Sequence, residues 1–172
     1  FGFFRRDIFN QVGLFDERLI RAQDYEFNCR IREHGKTIWL NPLIRCDYFN
    51  QPTFISFLKK TVFYEAPFNA YMWYFAPYTF SFRHSITALF FLGLLFGPIF
   101  AHISSFLNFV YISAITLYFF VALFSAFQLS VRDSEPRHLF IMPFSFLCFH
   151  MIHGFGILVG IVRILAGRIP SN

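Results

Sequence analysis

The sequence has little cysteine, and one long stretch of it has no charge. Its three cysteines, at positions 29, 46 and 148 of 172 residues, have no paired spacing. This excludes a disulfide framework and a cysteine-based zinc motif. Residues 85–131 contain no Asp, Glu, Lys or Arg. So long an uncharged stretch is typical of membrane-spanning helices and excludes an ordinary soluble domain over this part of the chain.

The remaining composition is strongly apolar. Hydrophobic residues make up 56% of the sequence and charged residues 15%, and there are 29 phenylalanines. A soluble globular domain carries about half apolar and about a quarter charged residues. The net charge of +5 fits attraction to anionic lipid headgroups, because no basic face is interleaved with exposed aromatic residues as nucleic-acid binding requires. We therefore expect membrane lipids as partners and no nucleic acid.

Residues 1–50 hold most of the Asp, Glu and Arg residues and carry both helix and strand signals. The predicted elements are two helices, from Arg5 to Val12 and from Gln23 or Asp24 to His34, and two short strands, Thr37–Leu40 and Ile44–Tyr48. Elements of this number and kind do not close a core by themselves. We interpret residues 1–50 as the C-terminal part of an α/β domain.

Residues 51–84 are typical of a segment that lies in a membrane interface. Lys59 and Lys60 stand beside an apolar face at helical spacing. Many Phe, Tyr and Trp residues follow, and such rings are enriched at headgroup depth. The alternative is the aromatic core of a soluble fold. The apolar face consists of Phe54, Phe57, Leu58 and Val62.

Residues 85–172 contain three predicted membrane spans, at 86–103, 106–129 and 139–162. The protein is therefore expected in a bacterial-type inner or plasma membrane, with residues 1–84 on the cytoplasmic side. The basic residues before the first span and after the second then obey the positive-inside rule, whereas the two arginines after the third span break it. If the first span were re-entrant, the C-terminus would return to the cytoplasm, but Arg132 and Arg137 would then lie outside, and three full spans are favoured.

Two histidines in the third predicted span, His150 and His153, lie one helical turn apart. They could bind a metal or haem. No second pair of this kind occurs elsewhere in the predicted membrane region, so hydrogen bonding between helices is the favoured role.

Asp24 is the candidate catalytic residue. A carboxylate in the first turn of a helix is held ionised by the helix dipole and by free backbone N–H groups. It can then accept a proton from a substrate hydroxyl. The alternative is that Asp24 only caps its helix, and residue chemistry alone favours that role.

Several motifs occur in a fixed order: Phe4-Arg5-Arg6-Asp7-Ile8-Phe9, Val12-Gly13-Leu14-Phe15-Asp16-Glu17, Gln23-Asp24-Tyr25-Glu26-Phe27-Asn28-Cys29-Arg30, and then Gly35 and Pro42. Their order resembles the C-terminal half of the catalytic domain of family 2 glycosyltransferases, in the membrane-bound branch that builds exopolysaccharides and other surface glycans. The resemblance is close over residues 1–50 and looser over the membrane region.

The resemblance implies a GT-A fold, which is an α/β fold that binds nucleotide sugars. Asp24, in the family's Glu/Gln-Asp motif, would be the base of an inverting transfer from a nucleotide-sugar donor to a lipid-linked or membrane-proximal glycan acceptor. Asp16 and Glu17 would border the acceptor or, alternatively, cap their loop. Arg30 would pair with Glu26 or brace the site. A divalent metal, Mg²⁺ or Mn²⁺, would be held by residues outside this chain.

Two motifs of that family are absent from the sequence. There is no Asp-x-Asp, which supplies the family's metal and nucleotide site, and no Gln-x-x-Arg-Trp of processive members. We therefore expect a single-sugar transferase and assign no metal ligand in this chain. Because the chain opens at Phe1 without an initiator Met or signal-peptide pattern, we expect a fragment of a longer protein that is inactive alone. The alternative is a non-catalytic membrane anchor or assembly protein derived from a degenerate transferase.

Overall fold

The computed structural model describes residues 2–170, so positions 1, 171 and 172 of the predicted domains lie outside the described residues. The α-helices are α1 (Arg6–Val12), α2 (Gln23–Glu33), α3 (Phe54–Lys60), α4 (Ala66–Phe75), α5 (Phe82–Ala101), α6 (Ser105–Asp133) and α7 (His138–Leu165). A π-helical turn, Thr61–Glu65, follows α3, and a 3₁₀ turn, Pro77–Thr79, follows α4. The chain divides into two compact units: the described residues of Phe1–His84 with Gly156–Asn172, and Ser85–Phe155.

The prediction of an α/β domain part of GT-A type over residues 1–50 is wrong. The described residues are 71% helical and contain no strand, so they form no α/β sheet domain. Thr37–Leu40 and Ile44–Tyr48, predicted as strands, are irregular and exposed, and Trp39 is 91% accessible. A strand is stable only where a neighbouring strand satisfies its backbone hydrogen bonds, and residues 2–170 supply no such neighbour.

The first unit begins with a small aromatic core between α1 and α2. Phe27 of α2 is fully buried and packs with Val12 at the end of α1. Three other rings surround Phe27, with centroid distances of 5.0 Å from Phe4, 5.3 Å from Phe9 and 4.5 Å from Phe15. Helices of seven and eleven residues are too short to be stable alone, so this packing stabilises both.

Helix α3, in the segment predicted to lie in the interface, begins at a capping box. The Thr53 hydroxyl accepts a hydrogen bond from the Ser56 N–H, and the Ser56 hydroxyl accepts one from the Thr53 N–H. After the π-helical turn, α4 buries Tyr71 and Met72 against Leu19. The loop that precedes α2 is therefore anchored on α4.

Glycines of α7 allow close packing with α4 inside the first unit. A Cβ atom added at Gly156 would lie 2.6 Å from the Ala66 Cβ, and one added at Gly160 would lie 2.7 Å from the Pro67 carbonyl oxygen. Real side chains do not approach so closely, so only glycine fits at these two positions without a shift of the neighbouring helix. Small residues at such contacts are a common device of membrane helix packing.

The second unit is built from the parts of α5, α6 and α7 that lie between positions 85 and 155. Small side chains, Ala122 and Ala126, are buried in α6, whereas large apolar side chains such as Phe106, Phe120 and Phe140 are exposed. The three helices have 20, 29 and 28 residues and are long and apolar enough to cross a membrane. An exposed surface of this kind suits lipid rather than water.

Each of the two predicted histidines of α7 forms a hydrogen bond with another helix of the second unit. The Nδ1 atom of His150 lies 3.0 Å from the Tyr118 hydroxyl on α6, and that of His153 lies 2.8 Å from the Thr87 hydroxyl on α5. Among the described residues no three His, Cys, Asp or Glu side chains come together as a metal site. Hydrogen bonding between helices is therefore the role that the geometry supports.

Candidate active site

Asp24 is the second residue of α2, which follows Ala22 in the left-handed backbone conformation. The side chain is exposed, and its Oδ1 atom accepts a hydrogen bond of 2.9 Å from the Tyr25 N–H. This contact satisfies one free N–H group of the first turn, although Ala22 and not Asp24 is the N-cap residue and α2 has no side-chain cap hydrogen bond. The other oxygen has no partner in the part of the chain that the structure describes. A carboxylate with one oxygen fixed and the other open can be held in place by the first turn and still accept a proton.

Asp16, predicted to border the acceptor, forms an ion pair with Arg18 within its own loop. Its two carboxylate oxygens lie 2.9 and 2.7 Å from the Arg18 guanidinium, and Oδ1 also accepts the Arg18 N–H. The hydrogen bond from Arg18 holds the pKa of the Asp16 carboxyl below its usual value. The guanidinium in turn lies over the Phe75 ring, 4.1 Å from its centroid. Glu17 next to it is exposed, with no partner among the described residues.

Arg30 pairs with Glu26, the first of the two roles expected for it. The Glu26 carboxylate is only 2% accessible, lies 2.8 Å from the Arg30 guanidinium and also accepts a hydrogen bond from the Tyr78 hydroxyl. A second guanidinium nitrogen of Arg30 donates to the Val12 carbonyl at 2.9 Å. Burial, and then the hydrogen bond to Glu26, raise the pKa of Tyr78. This network joins α2 to the end of α1 and to the 3₁₀ turn.

Sequence reasoning missed two members of these clusters. Arg18 could have been found from its position two residues after Asp16, which suits a turn closed by an ion pair. Tyr78 stands 52 residues from Glu26, and nothing local in the sequence indicates that contact. Asp24, Asp16 and Arg30 lie on one short segment, and each bonds a different partner: Tyr25, Arg18 and Glu26.

The divalent metal implied by the family resemblance does not fit the residues present. Oxygen-rich sites for Mg²⁺ need several carboxylate or carbonyl ligands in one place. The carboxylates of the loop and of α2 are engaged separately, Asp16 with Arg18 and Glu26 with Arg30. No cluster of three candidate ligands occurs within residues 2–170.

The structure is that of a helical protein with three helices able to cross a membrane. Its candidate base, Asp24, is exposed at the start of α2, next to the loop that precedes this helix. No protein-family model and no solved structure matches the chain. The chain is similar to a protein of Methanococcus voltae, dolichyl N-acetyl-alpha-D-glucosaminyl phosphate 3-beta-D-2,3-diacetamido-2,3-dideoxy-beta-D-glucuronosyltransferase. The two sequences are 28% identical over 152 residues, which cover 87% of this chain and 42% of that relative. The chain thus spans less than half of the relative's length.

This similarity supports a relationship to glycosyltransferases, and the three apolar helices fit an integral membrane protein. Assignment to family 2, to the exopolysaccharide branch and to a cytoplasmic orientation of residues 1–84 stay predictions. So do the roles of Asp24, Asp16, Glu17 and Arg30 in transfer.

Proposed function

We propose that the chain is part of a membrane-anchored glycosyltransferase that transfers a sugar from a nucleotide-sugar donor to a lipid-linked acceptor. The observation that carries the proposal is the similarity to a glycosyltransferase over 87% of the chain. The relative's name specifies a dolichyl-linked N-acetylglucosaminyl phosphate acceptor. The acceptor proposed here is accordingly a sugar joined through phosphate to a long isoprenyl lipid. Three helices that can cross a membrane suit an enzyme that must meet such a substrate in the bilayer.

The chemistry proposed for Asp24 is general base catalysis of an inverting transfer. The acceptor hydroxyl oxygen attacks the anomeric carbon of the donor sugar, and the bond from that carbon to the nucleotide diphosphate breaks. The hydroxyl proton passes to the open oxygen of Asp24, while the other oxygen stays fixed by the Tyr25 N–H. Asp16 and Glu17 stand on the preceding loop, where Glu17 is free to meet acceptor hydroxyls. The metal is proposed to lie on residues outside this chain.

The test is an Asp24→Asn substitution in the complete protein, assayed in membranes with an isoprenyl phosphate N-acetylglucosamine acceptor and a panel of nucleotide sugars. Asn keeps the side-chain size and an oxygen that can accept the Tyr25 N–H. It removes the proton acceptor. Transfer should fall by at least about 100-fold, the lower end of general base effects, with little change in the thermal unfolding midpoint.

Two further variants serve as controls. Glu17→Gln removes a nearby exposed carboxylate that has no partner in the described structure, and Asp16→Asn removes the loop's ion pair with Arg18. Both should retain far more activity than Asp24→Asn. Near-normal transfer by the Asp24→Asn protein, when chemistry limits the rate, would remove the catalytic assignment. A folded wild-type protein that transfers no sugar from any donor would instead favour the membrane anchor.

A further inference from the structure

A positively charged cleft lies in the first unit, where the π-helical turn follows α3. Its volume is about 470 Å³, and three cations line it: Arg21 from the loop before α2, with Lys59 and Lys60 from the last turn of α3. Two aromatic side chains, Phe63 and Tyr64, form part of the wall and are each 58% accessible. The sequence predicted that the two lysines lie in a membrane interface. It did not predict that Arg21 lies close to them.

Positive charge exceeds negative charge at this cleft. The carboxylate of Glu65 contacts two of the cations that line it, Lys60 and Arg21. Its Oε1 atom lies 3.2 Å from the Lys60 Nζ and 4.0 Å from the Arg21 Nε. Because one oxygen contacts both groups, these two cations lie within about 7 Å of each other. Lys59 has no ion-pair partner in the described residues, so three cations face one carboxylate.

Glu65 contacts both Lys60 and Arg21, and both of these groups remain positively charged. The hydrogen bond from Lys60 to Glu65 raises the pKa of Lys60, so this ammonium group stays charged at neutral pH. Arg21 is charged at any pH that a protein meets. Two like charges held near each other by a shared carboxylate form a pre-organised site for an anion with several oxygens.

The surroundings of the cleft suit a lipid-borne anion better than a soluble one. Lysines beside exposed aromatic rings are typical of the headgroup level of a membrane. Helix α3, which carries both lysines, has no fully buried residue. Arg21 stands only three residues before Asp24. The cleft therefore combines a surface suited to the membrane interface with the loop that leads to the candidate base.

We propose that this cleft binds the phosphate that joins the acceptor sugar to its isoprenyl lipid. The inference rests on the proposed function and identifies where that substrate is held. Arg21 supplies a planar fork of N–H donors that matches phosphate oxygens, and Lys59 and Lys60 supply point charges. With the phosphate in the cleft and the lipid tail in the bilayer, the sugar extends to the loop that carries Arg21 and, three residues later, Asp24.

The experiment measures binding without turnover, using the complete protein in nanodiscs of neutral phosphatidylcholine. One probe is a short-chain isoprenyl phosphate N-acetylglucosamine. The second is the same sugar on a neutral alkyl chain without phosphate. The test variant carries Arg21→Gln and Lys59→Gln together, which leaves the Lys60–Glu65 ion pair intact. The matched control is Lys36→Gln, an exposed lysine of the first unit that does not line the cleft.

The wild-type protein should bind the phosphate probe more tightly than the neutral one. The double variant should weaken binding of the phosphate probe at least about tenfold, since charge-assisted hydrogen bonds contribute on this scale. Its affinity for the neutral probe should not change, and Lys36→Gln should bind both probes like the wild type. Equal wild-type affinity for the two probes would overturn the inference. The inference would also be overturned if Lys36→Gln weakened binding of the phosphate probe as much as the double variant does, because that result would indicate general charge attraction.

A competition experiment distinguishes the two phosphate groups that the cleft could bind, the lipid-linked phosphate of the acceptor and the diphosphate of the donor. A soluble nucleoside diphosphate should not displace the phosphate probe, and complete displacement at low concentration would assign the cleft to the donor and contradict the inference. A failure of the cleft proposal can be distinguished from a failure of the proposed glycosyltransferase function. The binding assay needs no active Asp24, so loss of transfer in Asp24→Asn with unaltered probe binding in the double variant would reject only the cleft.

Discussion

Two carboxylates of α2 stand only two residues apart and have opposite environments. Asp24 is exposed and keeps one oxygen open, whereas the Glu26 carboxylate is buried and satisfied by Arg30 and Tyr78. A buried carboxylate with two partners is fixed in place and cannot meet a substrate without losing those contacts. This contrast is the reason that Asp24, and not Glu26, is proposed as the base, whereas Glu26 is expected to stabilise the local structure.

We predict that the network around Glu26 contributes strongly to stability. Tyr78→Phe removes one hydrogen-bond donor from a buried carboxylate and should lower the free energy of unfolding by about 1–3 kcal/mol. Glu26→Gln leaves the Arg30 guanidinium, which is 19% accessible, without its counter-charge and should cost about 3 kcal/mol. Chemical unfolding in detergent measures both. Tyr74→Phe, on an exposed ring of α4, is the control, and equal stability of the Tyr78 and Tyr74 variants would contradict the prediction.

At this scale the sequence predicted contacts between near neighbours and missed distant ones. The spacing of Glu26 and Arg30 indicated their ion pair, because residues four apart share a helix face. Burial of that pair depends on Tyr78, and the cation cleft depends on Arg21 meeting α3. Both contacts join segments far apart in the chain, and no local pattern encodes them.

At the scale of elements, helix ends were predictable and strands were not. The helix predicted from Arg5 to Val12 is observed as Arg6–Val12, and its end coincides with Gly13 at a φ of 84°. The helix predicted to end at His34 ends one residue earlier and is followed by Gly35 at a φ of 68°. These signals are local. Strand formation at Ile44–Tyr48 depended on a pairing partner, which a single segment does not specify.

We predict that the contact between α4 and α7 in the first unit tolerates no added methyl group. Gly160→Ala places a Cβ atom about as close as 2.7 Å to the Pro67 carbonyl oxygen, and overpacking of this kind costs about 1–3 kcal/mol. Gly93→Ala, in α5 with nothing within 4 Å of the added Cβ, makes the same chemical change. It should be neutral or stabilising by about 0.5–1 kcal/mol, because alanine favours helix over glycine. Thermal unfolding in one detergent compares the two, and matching midpoints would show that α7 shifts without cost.

At the scale of the whole molecule, the exposed surface rather than the core determines whether the protein is stable in lipid or in water. The three long helices expose large apolar side chains, and two histidines of α7, His150 and His153, hydrogen-bond to neighbouring helices within the second unit. Such a surface is stable in lipid and aggregates in water. The sequence predicted this property, because the uncharged apolar stretch at residues 85–131 is visible without any knowledge of packing. The packing that positions Tyr118 against His150 was not visible, because it depends on the register between two helices.

If all three helices cross the bilayer, the loops at both ends of α6 must lie on opposite sides of the membrane. His102 precedes α6, Glu135 follows it, and both lie outside the three apolar helices. Cys46 is free and exposed in the first unit and serves as a reference for the side on which residues 1–84 lie. Single thiols are introduced by His102→Cys or Glu135→Cys, with Cys29 and Cys148 replaced by alanine.

We predict that a membrane-impermeant maleimide added to sealed vesicles labels Cys46 and the thiol at position 135 from the same face. The thiol at position 102 should react only from the opposite face, or after the vesicles are opened with detergent. Helices of 20, 29 and 28 residues can each cross a hydrocarbon core about 30 Å thick, since each residue adds about 1.5 Å. Labelling of position 102 from the face of Cys46 would mean that α5 is re-entrant. If position 135 then reacted from the opposite face, the arginines after α6 would break the positive-inside rule and those after α7 would obey it.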